Sequence, residues 1–347
     1  MIPHNKPTLG QAEREAAVRV LDSGWVAQGR EVQAFEDEVC QYLGLAAGHA
    51  VALSSGTAAL FLALWVLDAK GKRIAIPVYS CAALRNAVLM AGGEPVPVDV
   101  GEGSPNIEVD QVVRQRVDIV VAAHMFGVPS RWHVANMAIP IIEDCAQAFG
   151  VRIDGRIVGL NGTVGVFSFY ATKMLTSGGQ GGMLVSSNRA LIDAVRDYRE
   201  FDCRRDRVPR FNLQMTDLQA AVGRAQLSQL PNFIAKREAI FASYATAGLP
   251  LWPRKTCAGC EPCHYRAVLR VADPLGAIKH LEREGIRAIV PIEEWELLAD
   301  AAAFPRAAAL ARSTVSIPIY PALTAGEVTH IVAGASRFDY HGELKPI

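Results

Sequence analysis

The chain has 347 residues, half of them hydrophobic and a fifth charged, which suits a soluble globular protein with a large buried core. Its 35 basic residues balance 35 acidic ones. A neutral chain has no net pull toward phosphate backbones or anionic lipid, so nucleic acid and membrane are poor first candidates as partners. The first residues lack the basic and apolar pattern of a signal peptide. The longest apolar run, 58–67, stops at Asp68 and is too short to span a bilayer. Seven cysteines without an export signal point to reduced thiols and a cytoplasmic chain.

In chain order, 49–53 is expected as a strand and 57–67 as a helix. A strand at 73–78 and a helix at 81–90 follow, then strands at 94–98, 118–122 and 140–143. This alternation predicts a mostly parallel sheet wrapped by helices. Strands at 164–170 and 182–186 flank a Gly-rich loop. Thr216 or Asp217 is placed to cap a long helix toward Leu230, with Pro231 starting a new helix or kinking that one. The Gly-, Pro- and Cys-rich stretch 248–262 divides the chain into a large domain, 1–247, and a smaller C-terminal α/β domain, 248–347. Within the latter, strands are expected at 264–271, 286–290 and 314–317, with helices at 274–284 and 325–333.

Ligands of open parallel sheets collect beyond the carboxyl ends of the strands, and four features fall at such ends. Ser54-Ser55-Gly56-Thr57 joins a strand to a helix, where free N–H groups suit an anion. Read blandly, it is an ordinary turn. Ile141-Ile142-Glu143-Asp144 ends an apolar strand in two acids, with Gln147 three residues on. A carboxylate buried there needs a cationic partner; the bland alternative is a helix cap at Asp144. Val166-Phe167-Ser168-Phe169-Tyr170-Ala171-Thr172-Lys173 delivers a lysine into a glycine-rich loop. A partly dry lysine attacks carbonyls, although a lone lysine is usually a surface group. Asn212 stands between apolar neighbours just before a helix, a site role or a turn residue.

Together, in this order, the four features resemble the DegT/StrS-type sugar aminotransferases, a fold-type I family dependent on pyridoxal 5'-phosphate (PLP). The resemblance runs from Gly24-Trp25-Val26-Ala27-Gln28-Gly29 to Ile317-Pro318-Ile319-Tyr320-Pro321. It implies a Schiff base on Lys173, which also carries the proton, and Asp144 against the pyridine nitrogen. It puts Gln147 near the ring, and Gly56, Thr57 and Ser168 on the phosphate. Asn212 would reach in from the second subunit of a homodimer. A dehydratase branch replaces the lysine with histidine, so Lys173 favours transamination. The implied reaction moves an amino group from an L-amino acid, glutamate first, to a keto sugar nucleotide or a cyclitol. The alternatives are a PLP-dependent dehydratase or lyase and a non-catalytic sensor.

Departures stand beside the match. Cys81, in Pro77-Val78-Tyr79-Ser80-Cys81, occupies the place of an aromatic residue that stacks on the cofactor, so either the thiol packs there or Tyr79 substitutes. Arg30 replaces a proline, and no histidine follows Val290-Pro291-Ile292. His124 reads as packing beside the site, with substrate contact as the alternative. His264 matches a family histidine, and Gln28 lies in the first matched motif; both are candidate substrate residues. Cys257, Cys260 and Cys263 have the spacing of metal ligands, but no second ligand cluster accompanies them. They are expected to be reduced and metal-free.

Overall fold

Seven of the short apolar runs assemble into one sheet. The computed structural model describes residues 1–107, 109–130, 139–253 and 258–340. Two helices that the sequence reading does not assign come first, α1 (Gln11–Ser23) and α2 (Arg30–Leu43). Then come β1 (Ala50–Leu53), α3 (Gly56–Val66), β2 (Arg73–Pro77), α4 (Ala83–Met90), β3 (Glu94–Val98), α5 (Val109–Arg114), β4 (Ile119–Ala123) and β5 (Ile141–Asp144). A small hairpin, β6 (Arg152–Ile153) and β7 (Arg156–Ile157), precedes β8 (Val164–Ser168), β9 (Gly182–Val185), α6 (Arg189–Arg199) and α7 (Asp217–Thr246).

The sheet order is β1-β9-β8-β5-β4-β2-β3. Strands β8, β5, β4, β2 and β3 run parallel, while β9 is antiparallel to both β8 and β1. Alternate residues feed opposite faces: Val51 and Leu53 pack with α3, while Ala50 and Ala52 pack with α2. Both faces are covered, which is why the strands read as unbroken apolar runs. Burying each Val, Leu or Ile contributes about 1.5–3 kcal/mol. Helix α3 is buried from Ala58 to Leu64, so its apolar character is that of a core helix.

Helix α7 starts at a capping box, with the Thr216 hydroxyl bound by Gln219 N–H. Pro231 lies inside it without ending it. Its first half packs under the large sheet through Ala220, Leu227 and Leu230. Its second half, with Ile240 and Tyr244, joins a separate core. That core lies on β10 (Leu251–Trp252), β12 (Ala267–Arg270) and β13 (Thr314–Ile317), an antiparallel sheet; β11 (Cys260–Glu261) pairs instead with β6. Helices α8 (Pro274–Arg283), α9 (Pro305–Ala311) and α10 (Ala325–Ser336) complete the chain.

One expectation needs correction here. Residues 286–290 do not form a regular strand; Ile286 and Ile289 make isolated bridges to Ile2 and Ser316. Ile2 packs in the C-terminal core. No described helix is long and apolar enough to cross a membrane.

Candidate active site

A cavity of about 410 Å³ opens beyond the carboxyl ends of β4, β5 and β8. Strand β8 ends at Ser168, and the chain turns so that Lys173 N–H reaches Tyr170 O at 2.9 Å. Ala171 N–H binds Gly179 O at 3.0 Å, and the Asn5 amide holds Thr172 O at 3.2 Å. This turn delivers Lys173 to the cavity wall.

Asp144, the last residue of β5, is buried and lines the same cavity. One carboxylate oxygen accepts Ala146 N–H at 2.9 Å. Burial pushes its carboxyl above the ordinary value; Ala146 N–H and the Lys173 charge pull the other way without cancelling it. The Gln147 side-chain oxygen accepts Phe126 N–H at 2.7 Å, which leaves its NH₂ group to face the cavity.

The third wall is the start of α3. Ser55 caps Ala58 N–H at 3.1 Å. The first amides of a helix have no intrahelical acceptor, so those of Gly56 and Thr57 are available to an anion. Gly56 is required: a Cβ there would stand 2.8 Å from Ser168 Cβ. Its absence lets the Ser168 hydroxyl and the helix start share one anion cradle.

Lys173, Asp144, Gln147, Gly56, Thr57, Ser168, Cys81 and His124 therefore all line one cavity. Asn212, Gln28 and His264 are not among its lining residues. Asn212 accepts Gln214 N–H at 3.2 Å on the surface. Gln28 donates to Glu200 at 2.9 Å. His264 stacks on Phe241 with ring centres 3.8 Å apart and meets Glu238 at 2.7 Å. Within this chain His264 does not line the cavity. The neighbour that reaches the lysine is Tyr265, with Lys173 Nζ 5.4 Å from its ring centre. The signal was present: Cys263, Tyr265 and Ala267 are buried in alternation, whereas His264 and Arg266 face the other way.

His124 is fully buried and committed. Its Nδ1 accepts Ser130 N–H at 2.9 Å, so Nε2 carries the proton toward Glu143 Oε1, 2.9 Å away. Glu143 also accepts the backbone and side-chain N–H groups of Asn161 at 3.0 and 3.2 Å. Burial pushes the Glu143 carboxyl up, but His124 and Asn161 outweigh it and hold it below the ordinary value. These bonds tie both ring nitrogens of His124 into the interior, while the residue also borders the cavity. Cys145 adds a third possible ligand atom within 4.8 Å of the other two. Burial raises its thiol, and the nitrogens and oxygens are already hydrogen-bonded, so the cluster is a polar network rather than a metal site.

Tyr79 does not replace the missing stacking residue. It is fully buried, edge-on to Phe126 with ring centres 6.0 Å apart, among Val78, Leu297 and Ala308. Cys81 is the residue exposed at the cavity. The expectation of reduced cysteines is corrected at Cys260, which is disulfide-bonded. Cys263 is a free buried thiol, and Cys257 lies outside the described residues.

Residues 7–335 match the DegT/DnrJ/EryC1/StrS aminotransferase family. The chain belongs to that family. It is 31% identical to the dTDP-3-amino-3,4,6-trideoxy-alpha-D-glucose transaminase of Streptomyces venezuelae, covering 93% of this chain and 91% of the relative. It is 29% identical to the GDP-perosamine synthase of Vibrio cholerae, covering 95% and 97%. The solved aminotransferase TlmJ from Streptoalloteichus hindustanus superposes with a TM-score of 0.89 at 28% identity, covering 96% and 97%. As a member of this family the chain is a PLP-dependent aminotransferase.

The residues present fit that cofactor. A buried carboxylate raised by desolvation suits a protonated ring nitrogen, and the cradle of Gly56, Thr57 and Ser168 suits a phosphate. Lys173 lines the same cavity.

Proposed function

We propose that the chain transfers an amino group from an L-amino acid, with glutamate as donor, to a keto carbon of a nucleotide-linked sugar or a cyclitol. The observation that carries this reading is one cavity bounded by Lys173, Asp144 and the start of α3. The names of the two relatives, a dTDP-sugar transaminase and a GDP-perosamine synthase, favour a nucleotide-linked acceptor.

Bound PLP supplies a carbonyl that takes up the amino group and a ring that withdraws electrons from the neighbouring carbon. Lys173 is assigned the covalent hold on the cofactor; once released, its Nζ takes the proton from the donor's α-carbon and gives it up again. Asp144 keeps the ring nitrogen protonated. Gln147 orients the ring through the NH₂ group left free by Phe126. Gly56, Thr57 and Ser168 hold the phosphate, and Cys81 lies where a stacking ring is missing.

A homodimer with shared sites is part of the proposal. Tyr170, at the cavity, and Phe211, beside Asn212, are 45% and 57% exposed, which favours a second copy covering this face. Asn212 would then reach the partner's phosphate. Asn212→Ala is expected to weaken PLP binding by roughly ten- to a hundredfold. Mixing it with Lys173→Ala at low PLP should restore up to about half of the activity per dimer, because one site then takes both lesions. No recovery in verified heterodimers would remove Asn212 from the partner's site.

The test of the reaction uses the pyridoxamine-phosphate form of the protein. Keto sugar nucleotides and keto cyclitols are screened for return of the PLP absorbance and for an aminated product by mass. Glutamate alone, with PLP-loaded protein, must yield 2-oxoglutarate; its absence would favour a lyase.

A further inference from the structure

Tyr265 touches the chemistry but has no part in the roles assigned above. It is buried, 5% exposed, with Lys173 Nζ 5.4 Å from its ring centre. The guanidinium carbons of Arg266 and Arg237 lie 5.6 and 6.0 Å from the same centre. The Thr172 side chain hydrogen-bonds its hydroxyl. Burial pushes the phenol up, yet Lys173, Arg266, Arg237 and the Thr172 bond outweigh it and hold it below the ordinary value. The cations therefore bear strongly on this ring.

The backbone that carries the ring is held on both sides. Arg237 donates to the Tyr265 carbonyl at 3.2 Å. Cys263 N–H binds Gly127 O at 3.2 Å, and Arg266 N–H binds Phe126 O at 3.3 Å. Tyr265 thus sits on an anchored segment, and Lys173 meets its ring from the cavity wall.

We propose that Tyr265 is the positioning residue of Lys173: its ring face receives the ε-amine whenever that amine is free, and steadies the charge gained with the donor's proton. The inference rests on Lys173 being the cofactor lysine. An aromatic face attracts a cation through its quadrupole, an effect of roughly three- to thirtyfold as the site becomes dry. The positive charge grows on Nζ as the proton leaves the α-carbon. The attraction is therefore stronger in the transition state than in the bound donor, and it enters kcat more than KM.

The experiment replaces Tyr265 by Phe, by Leu and by phenylalanines carrying one, two or three ring fluorines. Fluorine weakens the ring's hold on a cation with little change of shape. In PLP-loaded full-length protein, single turnover of L-glutamate is measured with hydrogen and with deuterium at the α-carbon. In the apoprotein, the pH at which acetic anhydride begins to label the Lys173 peptide is followed by mass spectrometry.

Tyr265→Phe should stay within about twofold of the parent. Tyr265→Leu should turn over roughly three- to thirtyfold more slowly, with KM for glutamate nearly unchanged and a larger isotope effect. Each added fluorine should slow turnover further and move Lys173 labelling to lower pH, since the ammonium form loses support. A fluorinated series that is flat in both readouts overturns the proposal, even if Tyr265→Leu fails to fold. If the parent itself cannot be fixed to PLP by borohydride on Lys173, the cofactor reading fails instead.

Discussion

Two concavities among the described residues have opposite character. The larger, about 600 Å³, lies between α1, α2 and α7 and includes Arg19, Glu38 and Arg224 in its wall. There each charge is answered locally. Arg224 binds Glu38 at 2.9 and 2.6 Å and Glu31 at 2.6 Å, and Arg19 meets Glu31 at 3.4 Å. The smaller, at the strand ends, holds Lys173 and Asp144 on its walls without an ion pair between them among the described residues. Volume alone would select the wrong one. What distinguishes the active cavity is buried chemistry left waiting for a ligand, a cost that a fold keeps only where function requires it.

The sharpest test of this contrast is Lys173→Ala. Loss of the attachment point and of the proton carrier should lower amino transfer by about 10²–10⁴ or more. The variant should still bind PLP weakly through the phosphate cradle. The parent should be yellow, and borohydride should fix the cofactor on the Lys173 peptide. Full activity in the variant would remove the lysine, and with it the cavity, from the mechanism.

Asp144→Asn probes the carboxylate that burial keeps under tension. A carboxyl raised in the folded protein contributes stability below its unfolded value and loses it as pH rises through the folded value. At neutral pH the raised carboxyl therefore costs the cofactor-free parent stability that it has in acid. The apo variant should melt higher by roughly 2 °C or more, and the gain should shrink on acidification. PLP binding and turnover should fall by roughly ten- to a hundredfold, as expected when a hydrogen bond to a charged group is lost. Equal apo stabilities across pH would mean that the carboxylate is already satisfied.

Much of this cavity was legible in the sequence because strand ends are short-range objects. Apolar runs locate β5 and β8, and the last residue of each strand, Asp144 and Ser168, lines the crevice, whereas Glu143 one step earlier alternates to the buried side. Glycine at 56 signals a close approach for the same local reason. Less legible were the positions where side-chain direction is set by distant partners. His264 is turned by a backbone at φ 48° toward Phe241 and Glu238 on α7, while Tyr265 points to Lys173. Tyr79 is claimed by a core containing Leu297 and Ala308, more than two hundred residues away. Helices α1 and α2 escaped notice because Arg, Glu and Gln interrupt their apolar stripe. Yet Val32, Phe35, Val39 and Cys40 recur at helical spacing and are buried.

Cys81→Phe asks whether the cavity lacks a wall. Cys81 is exposed at its edge, and the fully buried Tyr79 offers no substitute. An added stacking partner is worth about 0.5–1.5 kcal/mol, so PLP should bind roughly two- to tenfold more tightly. Fluorescence titration of the apoprotein measures it. Weaker binding in a folded variant would mean that the thiol's small size keeps room for something else, with the substrate as the first candidate.

Arg224→Ala tests the other concavity, and there the expected effect is smallest. Its guanidinium is 30% exposed, so solvent screens the ion pairs with Glu31 and Glu38. Screened pairs of this kind contribute about 0.2–1 kcal/mol each. The variant leaves Glu31 with Arg19 and frees Glu38 at the surface, so no buried charge is stranded. Thermal unfolding should shift by only a few degrees, and the shift should shrink in high salt, where the parent's pairs are weaker. PLP affinity and glutamate turnover should remain within about twofold, because the hollow shares no lining residue with the cavity at the strand ends. A tenfold fall in turnover with the fold intact would break the contrast, and would show that the satisfied charges of α1, α2 and α7 act on the reaction after all.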